Sequence, residues 1–176
     1  MRTLVAALLA AGLCGCGPSA SVKGTVSGLS LSAKDAAAAS YWWDERGTKV
    51  AELRLVISNH PGVCTRYAAN QTEAASTNLG ILIVRRNESV VPAGVFGTES
   101  FVASFVQNTD ACRNTLSPEQ SLARINSTVT IDGVTDASIR GSFDLLFADG
   151  HLTGTFDAPV CEAMAKSQPG NESCLR

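Results

Sequence analysis

The sequence predicts one all-β domain, either an antiparallel β-sandwich or an up-and-down β-barrel of about eight strands with one or two short helical turns. Short segments alternate apolar and polar residues, and most of them end at a Gly, Asn or Asp turn. The clearest segment, residues 138–161, alternates on both sides of Asp149-Gly150, which is the strongest short-range signal of a β-hairpin. We expect its apolar face to form a main wall of the core.

Residues 1–15 have the pattern of a bacterial lipoprotein signal peptide. Arg2 supplies a positive charge, and the apolar run at residues 3–13 is too short to span a hydrocarbon core of ~30 Å. The sequence LCGC that ends at Cys16 resembles a lipobox, which implies that Cys16 is the lipid attachment site and carries a diacylglyceryl group. By resemblance to the sorting rules of enteric lipoproteins, Gly17 in the next position, and not aspartate, implies the outer membrane. The alternative is an ordinary signal peptide with two incidental cysteines.

The rest of the chain divides into a lipidated tether of small residues at 16–21 and a β-domain at 22–176. The net charge of the full sequence, -2, supplies no basic field for nucleic acid, so we expect no nucleic-acid partner. The expected partners are a membrane, reached through Cys16, and an unidentified envelope ligand or protein. We expect a position at the cell envelope, on either side of the outer membrane.

The first half of the domain holds three predicted strand regions. Residues 22–33 alternate loosely and break at Gly28, whereas the alanine-rich residues 34–41 are compatible with a helical turn or with an extended segment. Residues 50–58 alternate clearly and end before His60-Pro61-Gly62. Residues 79–84 are apolar on both faces, which is typical of a central strand buried on both sides.

The second half adds strands at residues 101–107 and 124–131, with Ile125 expected on the apolar face of the second. Between them Ser117, proline at the first helical position and Gln120 predict a short helix with a capping box. After Cys161 the tail has room for one helical turn.

Four cysteines remain after the tether: Cys64, Cys112, Cys161 and Cys174. An even number in an exported chain indicates two disulfides, with three possible connectivities. We favour Cys64–Cys112 and Cys161–Cys174, because the second pair closes a short loop at low entropic cost. No CxxC or CxxH spacing supports the alternative of a zinc site.

The complete pattern resembles a group of small uncharacterised all-β bacterial lipoproteins. The lipobox and the phrase GSFDLLF…LTGTFDAPVC at residues 141–161 carry the resemblance. It implies an all-β fold and a lipid anchor. It implies no activity.

Motifs for catalysis, metals or cofactors are lacking in the sequence. His60 and His151 are the only histidines, and both lie at turns with no G-x-S-x-G elbow to support a triad. Asp132, Asp136, Asp144 and Asp149 form no calcium-loop motif and are better explained as turn residues. We therefore expect no catalytic residue, no metal and no cofactor.

Tyr41, Trp42 and Trp43 are the most suggestive functional residues. Adjacent aromatic rings before a charged turn are suited to a platform for a sugar ring or a peptide. The alternative is that alternate rings fill the core of a protein with few aromatics.

These observations favour a lipid-anchored, non-enzymatic envelope module that binds a ligand or has a structural role. One alternative is a lipocalin-like carrier of a small apolar ligand, lined by the apolar face of the closing hairpin. The other is an envelope hydrolase with His151 or His60 as its base.

Overall fold

The computed structural model describes residues 20–166 and 173–175, and these form an all-β domain with three short helices. The predictions for the signal peptide and for Cys16 lie outside the described residues. The described strands, in chain order, are β1 (Ala20–Val26), β2 (Asp35–Glu45), β3 (Thr48–Ser58), β4 (Gln71–Glu73), β5 (Thr77–Arg86), β6 (Gly94–Gly97), β7 (Phe101–Gln107), β8 (Thr128–Val134), β9 (Ser138–Phe147), β10 (Gly150–Pro159) and β11 (Ser173–Leu175). The helices are α1 (Val63–Ala69), α2 (Pro118–Ser121) and α3 (Glu162–Lys166).

Five strands form one antiparallel sheet in the order β1-β10-β9-β8-β6. The hairpin predicted at residues 138–161 is confirmed as β9 and β10. Its strand glycines have a packing role: Gly154 lies opposite Phe143, and a Cβ at Gly154 would overlap that ring. The aromatic ring therefore lies across the space that the missing side chain leaves.

The second sheet has four antiparallel strands in the order β2-β3-β5-β7. Arg46 and Gly47 join β2 to β3 with φ of 55° and 85°, the left-handed values of a type I′ hairpin turn. The alanine-rich segment is part of β2 and not a helical turn. Its four alanines, residues 36–39, are buried alternately in two different clusters, so small side chains suit both faces of this strand.

The two sheets pack face to face as a sandwich, and no closed barrel forms among the described strands. Phe105 of the four-stranded sheet meets Phe147 of the five-stranded sheet edge to face, with ring centroids 6.3 Å apart. The apolar residues of both inner faces belong to one buried cluster. The sandwich prediction is confirmed, with eleven strands in place of about eight.

The predicted disulfide pairing is wrong, although all four cysteines are bonded. Cys64 bonds Cys161 and Cys112 bonds Cys174, with Cα–Cα distances of 5.6 and 5.7 Å. The first bridge joins α1 to the chain just before α3, and both helices lie on the outer face of the four-stranded sheet. Partners follow proximity in the fold, which loop length along the chain does not reveal.

Three other expectations need correction. Residues 20 and 21, assigned to the tether, are the first residues of β1, and Ala20 is buried against the core. β8 begins at Thr128, so Ile125 lies before it and is 76% exposed. β5 is central but is fully buried on one face only, since Val84 on its outer face is exposed.

The helix at Ser117 is confirmed with its capping box, and the turn expected after Cys161 is α3. Within the described part of the chain, no helix has the length and apolar character needed to cross a membrane.

Candidate functional site

A cleft of about 380 Å³ lies on the outer face of the four-stranded sheet, away from the core. Gly80 and Ser104, which are paired neighbours on β5 and β7, form its floor together with Val56 of β3. Helix α1 and strand β4 form one wall, and the loop that carries Cys112 contributes to the other. The volume lies in the range of small-molecule sites.

The position of α1 above the sheet is set by its first residues. Gly62, with φ of 81°, turns the chain away from β3 at the start of the helix. The Asp35 carboxylate of β2 accepts a hydrogen bond of 2.8 Å from the backbone N–H of Val63. This satisfies one of the N–H groups that a helix start leaves free, and it ties α1 to the edge strand.

Ionic contacts join α1 to β4. Arg66 lies 3.2 Å from a carboxylate oxygen of Glu73, and His60 lies 3.5 Å from the other. The buried Arg66 guanidinium also donates to the backbone carbonyl of Pro61 and, at 3.3 Å, to Ser58 Oγ. The Arg66–Glu73 ion pair and the hydrogen bonds of Arg66 hold the wall in place.

Side-chain amides give the cleft its polar character: Asn70, Gln71, Asn78, Asn108 and Asn114. Some are fixed by the protein, since Asn78 donates to Ser76 Oγ at 2.9 Å and Asn108 donates to the same oxygen at 3.1 Å. An amide both donates and accepts hydrogen bonds, so a fixed amide still offers its other group to a ligand. Tyr67 adds an aromatic ring to this polar lining.

The two histidines lie in different parts of the fold, His60 beside Glu73 and His151 beside Asp144. Ser58 is fully buried, and its Oγ accepts from the backbone N–H of His60 at 3.1 Å. His151 is exposed on the other sheet, 2.7 Å from Asp144. Among the described residues, no three His, Cys, Asp or Glu side chains come together as a possible metal site.

The three predicted aromatic residues do not form one platform. Tyr41 and Trp43 share a face of β2, with ring centroids 5.9 Å apart. Trp42 lies on the opposite face, where the Lys49 ammonium is 5.3 Å from its ring centroid. Trp42 is 51% exposed and Trp43 37%, so the tryptophans do not fill the core either.

Tyr41 belongs to a charged cluster beside α3. The carboxylate of Glu52, a residue only 5% exposed, accepts hydrogen bonds from the Tyr41 hydroxyl and from Arg54 Nε. Burial, followed by the hydrogen bond to Glu52, raises the pKa of Tyr41 above its ordinary value. Arg54 also donates to the backbone carbonyl of Met164 at 3.4 Å, so the cluster links β3 to α3.

The cleft residues Arg66, Tyr67 and Glu73 were not singled out from the sequence. The sequence does hold one signal for the end of α1, namely Asn70. Asparagine tolerates the left-handed conformation well, and Asn70 adopts it at the end of this helix. Nothing in the sequence, however, places this helix over the outer face of a sheet. No family model, no curated protein and no solved structure matches this chain.

Proposed function

We propose that the chain is a lipid-anchored binding module of the cell envelope whose cleft takes a small, neutral ligand rich in hydroxyl and acetamido groups. The observation that carries the proposal is the amide-rich cleft above Gly80. Amides and hydroxyls pair with such groups, and Tyr67 offers a ring for the apolar face of a sugar.

The charges of the cleft support binding in place of catalysis. Arg66 and Glu73 are paired with each other, and their partners are structural groups of the wall. The cleft also favours a polar ligand over the apolar ligand of a lipocalin-like carrier, because it lies outside the sandwich and the inner faces of the sheets are filled by packed side chains.

Calorimetric titration of the full-length protein with N,N′-diacetylchitobiose tests the ligand class. Gly80→Leu places a side chain on the floor of the cleft, and we expect it to weaken binding at least about tenfold, or about 1.4 kcal/mol. Val84→Leu is the matched control, since Val84 lies on the same strand and face but outside the lining. We expect it to bind like the wild type.

Ser104→Leu is a second blocking variant, used if Gly80→Leu fails to fold by circular dichroism. The ligand class is wrong if the wild type does not bind the disaccharide, or if both blocking variants bind as the control does.

The anchor is tested separately by labelling with radioactive palmitate. We expect label in the wild type and in Cys14→Ala, and none in Cys16→Ala. Equal labelling of all three chains would contradict attachment at Cys16.

A further inference from the structure

The outer edge of β2 presents backbone groups away from its neighbour β3. The carbonyl of Ala38 accepts a hydrogen bond of 2.7 Å from the N–H of Cys161, so Ala38 faces this edge. Alternate residues of an antiparallel strand point their N–H and C=O groups to the same side. Ser40, Trp42 and Asp44 therefore also direct their backbone groups to the edge.

Among the described residues, this edge is covered by a backbone hydrogen bond at Ala38. Ala38 pairs with Val160, just after β10, and the pairing stops there because α3 begins at Glu162. Beyond it, no described residue pairs with the backbone of Ser40, Trp42 or Asp44.

The opposite edge of the same sheet is protected. The N–H groups of Thr115 and Ala123 donate to carbonyls of β7 at 2.8 and 2.9 Å. Exposed edges are templates for strand pairing, and β2 has neither a proline nor a bulge to prevent it.

We propose that residues 40–44 pair antiparallel with the same residues of a second copy, about a two-fold axis through Trp42. Cys161 limits the pairing at one end of the free edge, and the turn at Arg46-Gly47 limits it at the other. A register centred on Trp42 uses the whole free length in both copies. It joins the two four-stranded sheets into one continuous sheet.

The side chains are self-complementary in this register. Tyr41 lies opposite Trp43 of the second copy, and Trp42 lies opposite its own counterpart, so aromatic cross-strand pairs form on both faces. Asp44 lies opposite Ser40, so no two carboxylates meet across the axis. A two-fold interface requires this kind of self-matching surface, which favours a second copy over an unrelated extended peptide.

The interface is short, so we expect weak association. A contact well below ~1,200 Å² is typical of transient complexes. Confinement to a membrane by the proposed lipid anchor would raise the effective concentration of the two copies and favour pairing. The pairing does not require the ligand proposed for the cleft.

Disulfide cross-linking through one introduced cysteine tests the register in which the two β2 edges pair. It is carried out on the full-length protein at the envelope of a bacterial host. Directly opposed, hydrogen-bonded residues have Cα atoms ~5.5 Å apart, which is within the range that a disulfide spans. We expect Trp42→Cys to migrate mainly as a covalent dimer in non-reducing electrophoresis. Lys49→Cys is the control: Lys49 is exposed and close to the Trp42 ring, but it lies on β3 and away from the axis.

Two further changes, each combined with Trp42→Cys, separate edge pairing from random oxidation. Ser40→Pro removes an N–H that faces the edge without removing a hydrogen bond to β3, so we expect loss of most of the dimer. Ser40→Ala keeps that N–H and should keep the dimer. Absence of dimer from Trp42→Cys, equal dimer from Lys49→Cys, cross-linking to a different protein, or insensitivity to Ser40→Pro would each overturn the proposal.

Discussion

The two disulfides differ in what they hold, and removing each one separately should show it. Cys64–Cys161 joins two segments that pack in a buried cluster on the outer face of the four-stranded sheet. Cys112–Cys174 fastens β11, which consists of three exposed residues. We expect replacement of the first pair by alanine to lower the free energy of unfolding much more than replacement of the second.

The magnitudes follow from loop closure. A sequence separation of 97 between Cys64 and Cys161 restricts the unfolded chain by about 4.7 kcal/mol, and a separation of 62 between Cys112 and Cys174 by about 4.3 kcal/mol. Without the second bridge, we expect β11 to detach from the folded protein as well. Cys174 is about eight residues beyond α3, so in a folded protein with β11 detached the bridge closes a loop of only about eight residues. Closing this loop costs the folded state about 2.5 kcal/mol of conformational entropy. The net stabilisation is then about 2 kcal/mol for Cys112–Cys174 and about 4 to 5 kcal/mol for Cys64–Cys161.

Urea unfolding of the two double-alanine variants, followed by circular dichroism, measures the difference. The m-value reports whether both unfold from an equally compact state. Equal losses, or a larger loss for Cys112→Ala with Cys174→Ala, would refute the argument that β11 is fastened by its bridge and not by its packing.

Two further predictions concern packing and titration. Gly154→Ala should cost about 1 to 3 kcal/mol in urea unfolding, because a Cβ there overlaps both the backbone carbonyl of Ser21 and the Phe143 ring. Gly133→Ala, whose Cβ would make an ordinary contact with Arg140, should stay within about 0.5 kcal/mol of the wild type. Equal costs would contradict the packing role of Gly154. Because the folded state holds the Tyr41 proton more tightly than the unfolded chain does, its contribution to stability is complete below pH ~10 and is lost as the pH rises through the raised pKa. The difference in urea midpoint between the wild type and Tyr41→Phe should therefore shrink above pH ~10, and a constant difference would contradict the raised pKa.

The core-forming strands were predictable because their side-chain period is local. Alternation located β3 and the β9–β10 hairpin, an apolar run located β7, and the capping pattern located α2. The alanine segment was ambiguous, because alanine fits a helix and is also small enough for a strand buried on both faces. Its burial depends on α1 and α3, which pack against it from distant parts of the chain.

The cleft was not predictable for the same reason. Its floor is a pair of small residues, Gly80 and Ser104, on strands whose other face fills the core, and neither has a chemical signature. Its wall depends on Arg66, which finds Glu73 only after α1 folds back over the sheet. The aromatic residues were visible in the sequence, but their division between two faces of β2 follows from the strand period, which the uncertain assignment of residues 34–41 concealed.

The outer face of the four-stranded sheet carries different features at its two ends. Toward Val56 it is covered by α1, and the space that remains is the cleft. Glu52 is four residues before Val56 on β3 and therefore roughly 13 Å away. Here the same face of the sheet carries the Tyr41 cluster, and the free edge of β2 lies beside it. Cys161 has a contact with each of these regions, because its sulfur is bonded to Cys64 of α1 and its backbone N–H donates to Ala38 of β2. Cys161 thus limits the free edge through its backbone N–H and fixes the helix of the cleft wall through its sulfur, so one residue contributes to both proposed binding surfaces.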